Sequence, residues 1–560
     1  MKQLALAASA AMLAGSGFAQ VVLPPSADPG ALQQRRIEED QRRQEQERLE
    51  RPAVTDPVKQ PPAPSSNAPA GAAQVRFVPK EIRLDPPSEI LPATELKALA
   101  DPYVGKEASL AELQTLVAKI NELYKARGIV TARAIIPPQE VTSGVFTIRL
   151  VEGRLGKVLI SGNETTNESY VLERVDATPD KLMDLSALQE SLVQFNRTND
   201  AQLRAELKPG QTFGKTDVAI AVMEPDQHVF RIGLDNGGSE VTGETRLGVS
   251  YTNQSLTGRR DSLTLGTMLA EGLKSASVDY GMPVSRSGGR LNVTVNRDDT
   301  ALKNGPFASL DITGKSTAYA LALRQPVAHD LQSQTLVLAG LRRRDVKNHI
   351  SDVFLSGTKT DDVQLGLEYQ RSDERNQWVA SYSVFSGKAT SSSATGDVKS
   401  NFSVGRGSLR HSYALDGGWA VRSSLSFQHT GSGELPTGDY FFLGGEGSVR
   451  GYPVGALSGD KGLVASIELQ HPITDMPGPG GMPSSFAANG FFFLDVGHVK
   501  FVLPPNSELD KSQTITGLGW GTNFAIGKNV SGRVTLAYAT TKVTEDQKRF
   551  RVGFQLSSQF

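Results

Sequence analysis

Two small α+β modules ahead of an all-β transmembrane barrel of about sixteen antiparallel strands, with a polar helix near the N-terminus, is the architecture this sequence predicts. Three observations carry it. From residue 227 to Phe560 apolar residues alternate with period two, and between 75 and 225 two stretches repeat one plan of apolar runs around an amphipathic helix. Beyond an N-terminal export signal, no uninterrupted apolar stretch of about 18 residues could cross a membrane as a helix. A chain that spans lipid without such a helix must close its strands into a barrel, since only that alternative pairs every backbone group.

Residues 1–19 read as a secretory signal: Lys2, then an apolar run from Leu4 to Ala14, then Gly17-Phe18-Ala19 before Gln20. In the segment 20–51, the stretch Ala31 to Arg51 is dense in helix formers, with Asp28 and Pro29 as start signals and Pro52 as a stop. Its apolar residues Leu32, Ile37 and Leu49 make no stripe, so it cannot pack on an ordinary core. At about 1.5 Å per residue it spans roughly 30 Å, the thickness of the hydrocarbon layer. Composition alone fits a solvated arm as well as a helix with a polar home. Residues 52–74 are rich in proline and read as a tether.

The modules span 75–154 and 155–225. In the first, Ser109 and Glu112 form a capping box for a helix whose Leu113, Leu116, Ile120 and Tyr124 share a face. In the second, Leu185, Leu188, Leu192 and Phe195 do the same. The barrel, 226–560, is plainest in VQLGLEYQ, where Val363, Leu365, Leu367 and Tyr369 oppose Gln364, Gly366, Glu368 and Gln370. A soluble sandwich is the competing architecture, disfavoured by the aromatic rim, the charge on the other face and the export signal.

The 560 residues include no cysteine, seven histidines, and 59 basic against 60 acidic side chains. Disulfides, thiolate metal sites and cysteine nucleophiles are thereby excluded, and the balanced charge offers no case for nucleic acid. The histidines form no HExxH pair and no GxSxG elbow occurs, so no catalytic residue, metal or cofactor is expected. Gly314-Lys315-Ser316 lacks the rest of a phosphate loop and reads as a turn. Gly517, Gly519 and Gly521 read as small residues that let a barrel wall bend.

Two barrel segments break the alternation. One is glycine-dense, residues 441–455, with Arg450 between Val449 and Gly451-Tyr452; the other is GFFFLDVGHV, 490–499, with one acid, Asp495. An acid facing lipid near the midplane is destabilising, somewhat less than the about 2–4 kcal/mol of a basic side chain there, so Asp495 must face the lumen, and Phe491 and Phe493 with it. An inward acid and a loop arginine without a local partner suggest a charge-assisted bond between them, although two unrelated charges would look the same.

SVRGY at 448–452 and FLDVG at 493–497 resemble the paired signatures of outer-membrane barrels with periplasmic POTRA modules, specifically the TpsB transporters of two-partner secretion, of the ShlB, FhaC and HecB type. Residues 101–155, with YKARG, PPQ and VEGRL, resemble the first POTRA module of that family and 187–222 the second. The terminal strand ending in Phe560 resembles the signal read by the barrel assembly machinery. The resemblance implies that the polar helix plugs the barrel, that the Val449-Arg450-Gly451-Tyr452 loop folds into the lumen, and that Arg450 pairs with Asp495 beside Phe493 and Gly497. It implies an outer-membrane location with the modules in the periplasm, and transport of an unfolded secreted exoprotein, an adhesin, cytolysin or contact-dependent toxin. First contact is expected along the first module's helix, at Leu113, Val117 and Tyr124, by strand addition or groove binding. An assembly factor that inserts other barrels is the alternative, and a gated porin a weaker third.

Overall fold

The computed structural model describes residues 28–49, 56–59, 76–127, 129, 131–141, 143–431, 434–473, 486–501 and 512–560. The export signal and most of the tether lie outside the described residues.

The polar segment is a single helix, α1 (Pro29–Leu49). Proline suits the first turn, where its missing N–H would be unpaired anyway, and Asp28 Oδ1 accepts the Ala31 amide at 2.9 Å. The tether is not wholly a tether. Val58–Lys59 forms a short strand, β1, against the second module.

The first module carries β2 (Arg76–Phe77), β3 (Glu81–Asp85), α2 (Ala93–Ala100), β4 (Ala108–Ser109), α3 (Leu110–Ala126), β5 (Arg133–Ile135) and β6 (Val145–Val151). Its main sheet has the order β3-β6-β5. The capping box opens α3 as read, and its apolar face packs on that sheet through Phe146, Ile148 and Leu150.

The second module adds β7 (Arg154–Ser161), α4 (Glu168–Leu172), α5 (Leu185–Thr198), β8 (Gln202–Pro209) and β9 (Lys215–Met223), in a sheet ordered β1-β8-β9-β7. Leu188, Leu192 and Phe195 of α5 fill its core against Leu203, Val218 and Ile220.

Sixteen antiparallel strands then close on themselves. The first, His228–Asp235, pairs on one side with Arg246–Asn253 and on the other with the last, Phe550–Gln559. Closure leaves no sheet edge in lipid. The period-two reading fixes the faces: Val363, Leu365 and Leu367 are exposed outward while Glu368 is buried. No helix among the described residues is long and apolar enough to cross a membrane.

The second module is fastened beneath the barrel's turns. Arg260, 1% exposed, donates from Nε to Asp200 Oδ1 at 2.8 Å and from Nη1 to Thr165 Oγ1 at 3.0 Å. The Asn167 amide donates to the Gly258 carbonyl, and Gln194 to that of Ser287. These bonds fix the end of the pore at which the module stands.

Gly314-Lys315-Ser316 is not a turn. It lies inside the barrel strand Ile312–His329. A Cβ on Gly314 would strike Pro29 of α1, so the glycine makes room for the helix.

Candidate functional site

The site is the barrel lumen with the two elements that fill it. Along α1, polar side chains point in several directions, and a number of them find partners on different parts of the wall. Gln33 Oε1 accepts from Ser316 Oγ at 2.7 Å, and Arg36 pairs with Asp298 at 2.8 Å. Glu39 pairs with Arg246 at 3.0 Å, and Glu45 with Arg410 at 2.7 Å. A helix without an apolar stripe is at home here because the inner face of the barrel is itself polar. Most of its partners are ionic or hydrogen-bonded, so the helix is held by contacts that water can replace.

The second element is the chain between barrel strands Ala420–Thr430 and Lys461–Pro472. It folds inward as a small hairpin, Phe441–Leu443 against Leu457–Gly459, with Arg450 at its tip. Val449, Arg450 and Tyr452 are buried. Strand Phe486–Lys500 turns Phe491, Phe493, Asp495 and Gly497 to the inside and leaves Phe492 and Leu494 on the lipid face.

Arg450 meets Asp495 in a bidentate bond, Nε to Oδ2 at 2.7 Å and Nη2 to Oδ1 at 2.6 Å, and its backbone N–H also donates to Oδ2 at 3.0 Å. Nη1 donates to Glu468 Oε1 at 2.5 Å and Nη2 to Ser466 Oγ at 3.0 Å. The guanidinium lies over the Phe493 ring, Cζ 3.5 Å from its centroid. Arg533 completes the group, bonding Glu468 at 2.6 Å and lying 4.2 Å from the centroid of Phe491. Two cations thus bond two acids, with a third carboxylate, Glu446, close by and held by Thr535 at 2.9 Å, and the fork of an arginine suits the bidentate geometry at Asp495 where a lysine would not.

Glycines admit the tip. Gly451 has φ +92°, and a Cβ on Gly517 would occupy the position of the Arg450 carbonyl oxygen. On Gly497 it would stand 2.7 Å from Val449, and on Gly519 2.8 Å from Phe493. These residues give space to an inserted loop and to inward rings, which goes beyond letting the wall bend. Tyr452 fixes the far side, its hydroxyl donating to the Thr516 carbonyl at 3.1 Å.

A second anchor had no signal in the sequence. Asp439, in a short 3-10 turn at the base of the loop, is fully buried among three wall arginines. Arg342 donates to it at 2.9 Å, Arg344 at 2.5 Å and Arg406 at 3.3 Å. It sits in a polar loop where an acid is ordinary, and the arginines lie on strands that keep their alternation.

The residues expected to make first contact with cargo stand differently. Leu113 and Tyr124 are fully buried in the first module's core, and the Tyr124 hydroxyl donates to Glu152 at 2.8 Å. Burial pushes that phenol's pKa up. Neither side chain can touch a ligand while the module is folded; only Val117 reaches the surface in part. The helix face that looked like a groove is the face that makes the core. Phe560 is exposed at the end of the closing strand. Among the described residues no cluster of acids and histidines could hold a metal ion.

Residues 214–524, more than half of the chain, match the family described as haemolysin secretion/activation protein ShlB/FhaC/HecB. The chain belongs to that family. Residues 77–153 also match the ShlB-type POTRA domain. The heme/hemopexin transporter protein HuxB of Haemophilus influenzae is 24% identical over 412 residues, 71% of this chain and 73% of HuxB. The outer membrane transporter CdiB of Dickeya dadantii is 25% identical over 487 residues, 83% of this chain and 84% of CdiB. Among solved structures, CdiB from Escherichia coli superposes with a TM-score of 0.66 at 19% identity, covering 97% of this chain and 100% of that one, a likeness of fold. As a ShlB/FhaC/HecB family member the protein is a two-partner secretion transporter of the outer membrane, its POTRA modules on the periplasmic side.

Proposed function

We propose that this transporter captures an unfolded exoprotein partner in the periplasm and passes it through the lumen once α1 has withdrawn. The observation that carries the reading is α1 itself, a polar helix held along the lumen by replaceable ionic and hydrogen-bonded contacts to several wall strands. An extended polypeptide could renew such contacts in its place, and folding outside would give the movement its direction without nucleotide.

In this reading the loop at Arg450 is a positioning element. Its bonds to Asp495 and Glu468 keep the tip against one side of the wall, so that the helix, and later the cargo, has the other side. Arg450 and Asp495 carry that role together, with Val449, Gly451, Tyr452, Phe493 and Gly497 as the fitted surface around them. Phe560 would end the strand by which the assembly machinery recognises the barrel. The exported partner is of the large adhesin, cytolysin or toxin kind. Passage requires no catalytic residue and no cofactor.

Single-channel conductance in a planar bilayer tests the plug. A chain lacking residues 21–51 is expected to give larger and steadier openings than the chain that retains them. Unchanged conductance would place α1 outside the conducting path and favour a role in inserting other barrels.

A further inference from the structure

Above its apolar belt, one side of the barrel's outer face is densely charged. On five adjoining strands, Arg290–Ala301, Ile312–His329, Ser333–Ile350, Val353–Ser372 and Asn376–Ser393, the outward apolar positions run up to Val295, Tyr319, Leu341, Val363 and Val384. The first or second outward position beyond each of these is a cation: Arg297, Lys315, Arg343, Lys359 and Lys388, all exposed. The second module marks the opposite ends of the strands, where Arg197 of α5 donates to the Asp330 carbonyl at 2.6 Å. The cations therefore stand on the external side, at the height of the outer leaflet's head groups.

Three acids lie among them, and each is held loosely by one cation. Asp299 is 3.7 Å from Arg297, Asp345 is 3.7 Å from Lys359, and Asp361 is 3.6 Å from Arg343. Lys315 and a sixth exposed cation, Lys347, face each other directly across two strands. On its other side Lys347 has Gly357, and Lys315 has Asp299, whose carboxylate is the one turned to Arg297. Among the described residues neither lysine forms an ion pair. Like charges directly opposite in a sheet, with Cβ atoms about 4.5–5.5 Å apart, destabilise the pairing. An anion seated between them reverses the sign of that effect.

We propose that this face is a docking site for a phosphorylated glycolipid of the outer leaflet, with a sugar phosphate between Lys315 and Lys347 and the acyl chains lying down the exposed Tyr319, Leu321, Leu341 and Val363. The phosphate accepts charge-assisted bonds from both ammonium groups and turns their repulsion into a bridge between two strands. Arg343, Lys359 and Lys388 add to the attraction of an anionic membrane surface. Cargo in the lumen meets the other face of the wall, so it is not the occupant. The site depends on the barrel's place in the outer membrane and not on what passes through it.

The full chain in detergent is titrated with lipid A carrying two phosphates and with the same lipid after enzymatic dephosphorylation, and bound lipid is counted by native mass spectrometry. The phosphorylated form is expected to bind at least about tenfold more tightly. Equal binding of the two forms by the unaltered chain overturns the proposal without recourse to any variant. Lys315→Gln with Lys347→Gln is expected to lose most of that preference and Lys315→Arg with Lys347→Arg to keep it, with heat-modifiable gel mobility reporting the barrel in each. Lys461→Gln with Lys500→Gln removes another facing pair, away from these five strands, and is expected to change binding by less than about twofold. An equal loss there, or full competition by inorganic phosphate at matched phosphate concentration, would mark an unspecific anion effect and overturn the site.

Discussion

Gln34 of α1 and Asp439 of the inserted loop accept hydrogen bonds from the same two residues, since Arg342 and Arg344 each donate one Nη to the amide and the other to the carboxylate. The two lumenal elements are thus joined through the wall at one point, on unequal terms. The loop contributes a charge and the helix a neutral acceptor, so the helix can leave while the arginines keep their anion.

Gln34→Glu tests that point of contact. Arg342, Arg344 and Arg406 face Asp439, Asp362 and, from α1 itself, Glu38, so the cluster is already balanced. Gln34 Nε2 also donates to Glu38 at 2.9 Å. A carboxylate at position 34 loses that bond and stands one turn from Glu38 as a like charge, and about 1.4 kcal/mol corresponds to a tenfold shift. Openings are expected to become several-fold to about tenfold more frequent at unchanged unitary conductance. Single-channel recording checks this, and openings as frequent as before would show that the contact does not hold the helix.

Arg450→Ala is expected to leave the barrel inserted and export reduced about tenfold or more. Removing one partner from a buried ion pair costs about 3–5 kcal/mol, enough to release a loop tip but spread thinly over sixteen paired strands. Arg450→Lys is not expected to rescue export, because an ammonium can neither bind Asp495 bidentately nor lie flat on Phe493. Heat-modifiable gel mobility reports the barrel and secretion of the partner reports the loop. Normal export from Arg450→Ala would remove the positioning role.

Gly517→Val puts a side chain where the Arg450 carbonyl lies, so the loop tip must move. External trypsin is expected to cut after Arg450 in this variant and not in the parent. Gly248→Ala, where the nearest atom to a new Cβ is 4.0 Å away, serves as the control. Protection retained in Gly517→Val would mean the wall yields instead of the loop.

In the first module, the Ser109 amide and then its hydroxyl, bonded to Glu112, hold that carboxyl below its usual pKa range. A lowered folded value means a contribution present above the unfolded pKa and lost as pH falls through the folded one. Hydrogen exchange at the start of α3 is therefore expected to quicken under acid below the ordinary glutamate range. The pH effect disappears in Glu112→Gln. Ser109→Ala is expected to cost about 1 kcal/mol of protection at neutral pH.

Much of this architecture could be read from residues alone, for a physical reason: lipid outside and water inside impose a period of two, and departures from that period mark the working parts. Arg450 and Asp495 stood out because they broke it. Glu468 and Arg533, which complete their site, keep the alternation and so look like any lumenal residue. Asp439 was hidden in a polar loop. Val58 was hidden among prolines, where pairing with β8 depends on a surface far away in sequence. Leu113 and Tyr124 show the converse limit, since an apolar helical face has the same spacing whether it lines a groove or fills a core.

The plug is one helix wide. An α-helix with its side chains measures about 10–12 Å across, and beside the docked loop that is the calibre α1 would vacate in the withdrawal proposed above. A single extended strand or one helix passes such a gauge, whereas a disulfide-closed loop, which doubles the chain on itself, or any packed domain does not. The cargo's own cross-links and tertiary contacts must therefore form late, on the far side of the wall, and a cargo that folds early would jam its own exit.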